Sequence, residues 1–412
     1  MNILWITNMT LPPICNAIGL KTPSVGGWMY SSLKRLKTNN NIKCGVATVY
    51  DGKRLIIKDI DNTRYYLLPL RGHSKLKYNK HLEQFWINIK NDFNPDIIHI
   101  HGTEYPHGLA YVNACGSKGV VISIQGMISI YTRYYNAEIN SSDLKNCFSL
   151  RDVLKQDGVR KGKREFEIRG KYELEVLRKV KHVIGRTDWD KDHCWAINPR
   201  AKYHHVGETL RDSFYNKRWN YSECEPLSIF VSQASYPVKG LHKLLEAMPL
   251  IINQYPNAKL YVAGSNPTSR PWYLITTYGR YLKKLIIKYN LEHHIEFLGM
   301  IDEKTMCDRY LKSNVFVCCS SIENSPNSLG EAQMLRMPHV ASFAGGVPEI
   351  VNYNPDVLYR FEETEMLARK ICDIFSASGN VKIPEFNEDM YSAKLNNEQL
   401  MEAYRDIINY IR

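Results

Sequence analysis

Between Val315 and Ile350 the chain reads VFVCCSSIENSPNSLGEAQMLRMPHVASFAGGVPEI. An apolar strand pattern ends near Ser320, and the polar loop ENSPNS leads into a helical pattern starting near Ser328. Pro326 and Ser328 suit positions just ahead of a helix. The free N–H groups at such a helix end, with the helix dipole, favour an anion such as a pyrophosphate. Two carboxylates flank the place that anion would take: Glu323 in the loop and Glu331 in the first helical turn. A carboxylate repels phosphate but accepts hydrogen bonds from hydroxyls. Phosphate on a helix end, with hydroxylated rings on either side, describes a nucleotide sugar. The same two glutamates could instead only cap the helix. The larger reading rests on their setting, between a proline-containing loop and the downstream GGVPE.

Other residues offer chemistry less specifically. Lys239 precedes Gly240 at the start of a helical pattern, where a lysine can meet a phosphate as a point charge or simply face solvent. His99, His101 and His107 cluster in sequence; each is either a reactive imidazole or a hydrogen-bonded structural one. Gly26-Gly27 is either a turn or a close backbone approach to a ligand. Asp188, Asp190 and Glu349 each sit where a helix cap is the competing role. None of the ten cysteines forms a CxxC pair, and no zinc spacing is present. Cys318 and Cys319 lie in an apolar run, and the set reads as reduced core thiols rather than a disulfide framework.

Positioning such loops requires rigid elements. Short, near-continuously apolar runs recur at Asn2–Thr7, Ile42–Tyr50, Asp96–His101, Val120–Gln125, His182–Thr187 and Lys202–Val206. A second series covers Leu227–Ser232, Lys259–Ala263, Ile295–Leu298, Val315–Ser320, His339–Phe343 and Val357–Tyr359. Strands buried on both faces of a parallel sheet read this way, and helical patterns between them predict βαβ units. The pattern breaks between Arg211 and Pro226, where an interdomain linker is expected. The division is then an N-terminal Rossmann-like domain over residues 1–212 and a C-terminal one over 225–392. A final helix over 393–412 is expected to pack back on the first domain. Ligands of doubly wound sheets bind outside the carboxyl ends of the strands, so a cleft between two such domains is the expected site.

With these residues in place, the chain resembles the family 4, or group 1, retaining glycosyltransferases of GT-B architecture. ENSPNSLGE matches their E-x7-E motif, and AGGVPEIV from Ala344 is similar to the signature that follows it. VSQASYPVKGLHKLLEAM from Val231 resembles the first strand, phosphate loop and helix of their C-terminal domain. KLYVAG and IEFLGMID, the Gly26-Gly27 loop, HIHG at 99–102 and IGRTDWD at 184–190 extend the likeness over nearly the whole chain. The resemblance implies that Glu323 contacts hydroxyls of the transferred sugar and that Glu331 holds the ribose. It implies diphosphate binding by backbone N–H groups around Asn327, Ser328 and Leu329, and neutralisation of the leaving phosphate by Lys239. It implies that Gly26 and Gly27 approach donor and acceptor, and that His101 lies near the reacting sugar. It implies no metal, and no Asp-x-Asp arrangement serves that purpose here. Two positions depart from the family pattern. Ala234 stands where an arginine usually meets the phosphates, a loss that Arg186 could offset, and Gln125 replaces a histidine.

The chain has 412 residues and a formal charge of +12. That excess concerns partners rather than fold. Residues 268–290 hold Arg270, Arg280, Lys283, Lys284 and Lys288 with no acid, interleaved with Trp272, Tyr273, Tyr278, Tyr281 and Tyr289. Such a mix fits either an anionic membrane interface or a Tyr-rich helix packed on a sheet. No nucleic-acid motif accompanies the charge. No run is long and apolar enough to span a bilayer, and the N-terminus reads as a strand rather than a signal peptide. The expectation is a cytoplasmic transferase using a UDP- or GDP-linked sugar, with no further cofactor. Its acceptor would be a glycan or lipid-linked glycan in bacterial surface polysaccharide synthesis, with peripheral contact to the inner face of the membrane. A nucleotide-sugar 2-epimerase and an inert transferase-like scaffold are the competing readings.

Overall fold

The computed structural model describes all residues except 24–26, 71–75, 149–150, 153–157, 272 and 412. By internal contacts the chain divides into two compact units. One comprises Met1–Thr132, Glu165–Leu210 and Asp389–Arg412, and the other Arg133–Arg164 and Arg211–Glu388.

The first unit is built on an eight-stranded sheet: β1 (Asn2–Thr7), β2 (Lys43–Tyr50), β3 (Ile56–Ile60), β4 (Thr63–Pro69), β5 (Ile97–His101), β6 (Val120–Ser123), β7 (His182–Gly185) and β8 (Lys202–His205). Their order is β3-β4-β2-β1-β5-β6-β7-β8. All pairings are parallel except β3 with β4. The apolar runs become these strands because both sheet faces are covered. One cluster packs Trp86, Phe93 and Tyr111 on one face, and another packs Trp5, Leu33 and Tyr404 on the other. The sequence reading missed β3 and β4. Ile56–Ile60 is largely exposed at the sheet edge, so it lacks the apolar run of a buried strand. The turn joining the pair, Asp61-Asn62, has both residues at positive φ (48° and 59°), as a tight two-residue hairpin demands.

The second unit holds a six-stranded parallel sheet: β9 (Glu225–Val231), β10 (Lys259–Ala263), β11 (Ile295–Gly299), β12 (Ser313–Cys318), β13 (His339–Ser342) and β14 (Leu358–Tyr359). The order is β11-β10-β9-β12-β13-β14, with β9 and β12 central. All six were legible as apolar runs.

The units depart from the boundaries read in the sequence. Residues 133–164 group with the second unit, where Asp143 pairs with Lys284 (2.9 Å) and the Ala137 carbonyl meets His242 Nε2 (2.8 Å). The stretch from Arg211 to Cys224 is no loose linker. Trp219 donates its backbone N–H to Leu335 and its ring N–H to Ser313, both at 2.7 Å. Ser213 N–H and Oγ reach Glu303 (3.0 and 2.7 Å). Polar, aperiodic sequence looks like linker because its partners are backbone groups far away in the chain. The C-terminal helix, Ala393–Ile411, lies in the first unit; Tyr404 on it accepts a hydrogen bond from Trp5 Nε1 (3.1 Å).

In the basic stretch, Tyr278 and Tyr281 are buried on the helix Thr277–Lys288, while Tyr273 is 51% exposed. Trp272 lies outside the described residues. Among the described residues no helix is long and apolar enough to cross a membrane.

Candidate functional site

The charged constellation of the second unit grows from the carboxyl ends of its two central strands. After β9 the chain makes a short turn, Pro237–Lys239, and enters the helix Leu241–Gln254 through Gly240. Gly240 has φ 71°, and a Cβ there would come within 1.6 Å of the Cys319 carbonyl oxygen. The glycine is thus what lets the loops after β9 and β12 touch, and that contact delivers Lys239 to Glu323. The Lys239 ammonium lies 2.5 Å from Glu323 Oε1 and is mostly buried. Burial opposes its charge, but the carboxylate more than compensates and raises the lysine pKa. Ser320 Oγ donates to the same oxygen (2.8 Å).

The GGVPE segment has a structural task at this point. Gly346 N–H donates to the Glu323 carbonyl (3.0 Å), and Gly345, at φ 59°, would place a Cβ 1.9 Å from that oxygen. The two glycines allow the post-β13 loop to clamp the backbone of Glu323. Glu349 follows in the first turn of the short helix Val347–Ile350.

After β12 the helix Asn327–Met334 begins with Pro326 at its N-cap and no side-chain cap. Leu329 and Gly330 N–H turn inward to the Pro326 carbonyl (2.9 and 3.3 Å). The Leu329 N–H is therefore engaged within the helix, contrary to the sequence reading, which counted it with Asn327 and Ser328 toward a diphosphate. Glu331 is the fifth residue of this helix, just past its first turn, and it is buried. Its partner is a residue the sequence reading missed. Arg211 grips Glu331 bidentately, Nε to Oε1 at 2.6 Å and Nη2 to Oε2 at 2.7 Å. Burial raises the Glu331 pKa, with Arg211 opposing it, and the guanidinium pKa is raised against its own burial. Nothing in the local sequence marked Arg211, which lies in the stretch read as linker. Ala234, where an arginine was expected, is fully buried.

In the first unit, His101 ends β5 and is 4% exposed. It stacks on His99 (centroids 3.8 Å apart) and on Trp5 (4.3 Å), and neither ring nitrogen has a hydrogen-bond partner. Burial, then His99 and Arg186, hold its pKa well below the usual histidine value, so the ring is neutral. The neighbouring histidines are structural. His99 joins Tyr404 OH (2.6 Å) and Ser123 Oγ, and His107 meets the Thr7 carbonyl (3.1 Å). Arg186 pairs with Glu208 (2.5 Å) in the same unit, so its charge is committed rather than available to replace the missing arginine. Asp190 accepts from Arg186 N–H (3.0 Å) and Tyr203 OH (2.5 Å), and its own N–H caps onto Thr187 (3.2 Å). Asp190 thus belongs to the cap that Thr187 forms at the start of the helix Asp188–Ile197, and Asp188 makes a surface ion pair with Lys191. Gln125 follows β6. Gly27 opens the helix Gly27–Leu36, and Gly26 lies outside the described residues.

A second missed group is Glu104, just after β5. Asn8 Nδ2 donates to it (2.7 Å), and burial pushes its pKa up to about 7. Nearby Glu173 is fully buried and accepts from Thr103 and Ser129 hydroxyls and from Ile128 and Ser129 N–H. Its role is to tie loops together.

The comparisons with known proteins bear on this geometry. Residues 213–393, the span that holds Lys239, Glu323 and Glu331, match the family described as glycosyl transferases group 1. Spore coat protein SA of Bacillus subtilis is 30% identical over 154 residues, 36% of this chain and 39% of that protein. Among solved structures, sucrose-phosphate synthase from Thermosynechococcus elongatus superposes with a TM-score of 0.63 at 15% identity, covering 99% of this chain and 96% of that one. Anabaena HepE in complex with UDP gives a TM-score of 0.60 at 14% identity, covering 98% and 100%. The architecture of the whole chain is GT-B: two parallel-sheet α/β domains.

Proposed function

We propose that the chain is a retaining glycosyltransferase that moves a sugar from a UDP- or GDP-linked donor to a glycan or lipid-linked glycan. The observation that carries the proposal is the arrangement in the second unit: Lys239 and two buried glutamates around the uncapped start of the helix Asn327–Met334. In this reading the Asn327 and Ser328 N–H groups and Lys239 stabilise the departing diphosphate, a preorganised electrostatic role. Lys239 has three donors, so it can hold Glu323 and still meet a phosphate oxygen. Glu323 accepts from hydroxyls of the transferred sugar. Glu331 has four acceptor positions; Arg211 takes two and the Tyr310 hydroxyl bears on another, so the ribose would use what is left. Arg211 acts through Glu331 by fixing its orientation. The bond to the diphosphate breaks on the same face of the sugar where the bond to the acceptor oxygen forms. In this reading Lys239 and the helix end would meet the phosphates, and no metal is assigned a role.

A role in bacterial surface polysaccharide synthesis, at the inner face of the membrane, goes with this reading. Its support is the net positive charge and the exposed Tyr273 and Leu274 beside the basic helix Thr277–Lys288.

The experiment is a thermal-shift screen of UDP-, GDP- and ADP-sugars, repeated with Glu331→Ala and followed by a turnover assay. A shift with one nucleotide, lost in the variant, and nucleotide release that needs an acceptor support the transferase. An isomerised donor would mean an epimerase. No shift with any nucleotide would leave an inert scaffold, with Ala234 as its cause. Flotation with anionic vesicles at low salt tests the membrane contact, and a chain that never floats refutes it.

A further inference from the structure

One buried phenol of the second unit meets three parts of its charged site. Tyr310 lies on the helix Glu303–Lys312 and is fully buried. Its ring packs against Phe214, Phe230 and Phe316 at centroid distances of 5.5, 4.9 and 5.0 Å. That aromatic cage sets where the hydroxyl lies. The hydroxyl donates to the Ser328 carbonyl at 2.9 Å, in the first turn of the helix Asn327–Met334. It also bears on the Glu331 carboxylate, three residues further on. The Ser232 hydroxyl, just past the end of β9, meets it from the loop that leads to Lys239.

Burial, then the charge of Glu331, pushes the pKa of the phenol up, so Tyr310 keeps its proton and stays a donor. A phenol has one proton to give, and here two acceptors are within its reach, the Ser328 carbonyl and the Glu331 carboxylate. Both acceptors belong to one helix. The phenol therefore ties the carboxylate to the turn whose start carries no side-chain cap. Arg211 sets the plane of the carboxylate through two parallel bonds, and Tyr310 adds the tie to the helix backbone. We propose that Tyr310 is a positioning residue for the nucleotide: its hydroxyl holds Glu331 in register with the helix start, so that ribose and diphosphate are met together. The inference rests on the transferase reading for what Glu331 and the helix start meet, and on the contacts of Tyr310 for its own part.

The test is isothermal titration of the full chain with UDP and GDP, each beside its 2′,3′-dideoxy counterpart. The parent should prefer the ribose form by about 10-fold or more, as hydrogen bonds to a charged acceptor allow. Tyr310→Phe keeps the ring in its aromatic cage and removes only the hydroxyl. It should bring that preference to within about three-fold, while affinity for the dideoxy form changes by no more than about two-fold. A merely structural loss would weaken both forms alike and leave the ratio as it was. Tyr281→Phe removes another buried hydroxyl of the same unit, one that donates to Glu246 (3.2 Å), and should keep the parent ratio. Ser232→Ala disturbs the phenol without touching its ring, and should lower the ratio in the same direction even where Tyr310→Phe does not fold. A ratio unchanged in folded Tyr310→Phe, or in Ser232→Ala if the first variant does not fold, overturns the role of Tyr310 and leaves the transferase reading standing. So does a ratio lowered equally by Tyr281→Phe. A parent that binds nucleotide without preferring ribose overturns the ribose role of Glu331, and this inference with it. A parent that binds neither nucleotide overturns the transferase reading as well.

Discussion

The polar constellation of the second unit and that of the first solve opposite problems. Beside the helix Asn327–Met334 two buried ion pairs close on themselves: Lys239 with Glu323, and Arg211 with Glu331. At His101 the ring is neutral and both of its nitrogens lack partners, beside the closed Arg186–Glu208 pair. Buried charges cannot be left unpaired at tolerable cost, so the charged site must be held closed by its own counter-ions until a ligand competes. A neutral imidazole costs less to leave unpaired, so His101 can stay buried without a partner. The charged constellation is therefore sensitive to removal of either member of a pair.

The largest effect should come from breaking a pair. Glu331→Ala leaves the Arg211 guanidinium largely buried without its partner, and a loss of about 3 kcal/mol in denaturant unfolding is expected. Arg211→Met combined with Glu331→Leu should recover most of that stability while nucleotide binding stays lost. If the double variant binds nucleotide like the parent, Glu331 has no part in holding the ribose. Next comes Lys239→Ala. If the lysine stabilises the departing phosphate, turnover should fall about 100- to 1000-fold, with much smaller change in KM, as for loss of one preorganised donor. An equal rise in KM at constant kcat would mean a role in ground-state binding alone.

Gly345→Ala probes how the charged site is held in place. The added Cβ meets the Glu323 carbonyl, and the left-handed φ adds strain, so a loss of about 1–3 kcal/mol is expected. Turnover should fall with it; a variant that is destabilised but turns over normally would separate the GGVPE loop from the placement of Glu323. The smallest effect concerns Glu104. Its carboxyl is raised by burial to about 7 in the folded chain, above the ordinary 4.5. The folded state then binds more protons than the unfolded one between those values. Its contribution to stability must decline as pH rises from about 4.5 to 7 and level off above. Glu104→Gln should flatten that part of the Tm–pH curve. An unchanged slope would show that Glu104 does not titrate in this window.

The sequence by itself determined the two parallel sheets, because strands covered on both faces need unbroken apolar runs, and such runs are visible without any partner. It also marked Lys239, Glu323 and Glu331 as candidates, since the glycine, proline and carboxylates around them fall within short spans, and the structure brings Lys239 into contact with Glu323. It hid the hairpin of β3 and β4, whose edge strand is exposed and lacks that pattern. What only the tertiary structure decided is which of these groups are engaged. The Leu329 N–H is taken up inside its own helix, and Asp188 and Asp190 serve as a surface pair and a cap. Arg186 is held by Glu208, and Arg211 by a glutamate 120 residues away. Hydrogen bonds and ion pairs are short-ranged in space but indifferent to distance along the chain, and partnership therefore waits on the fold.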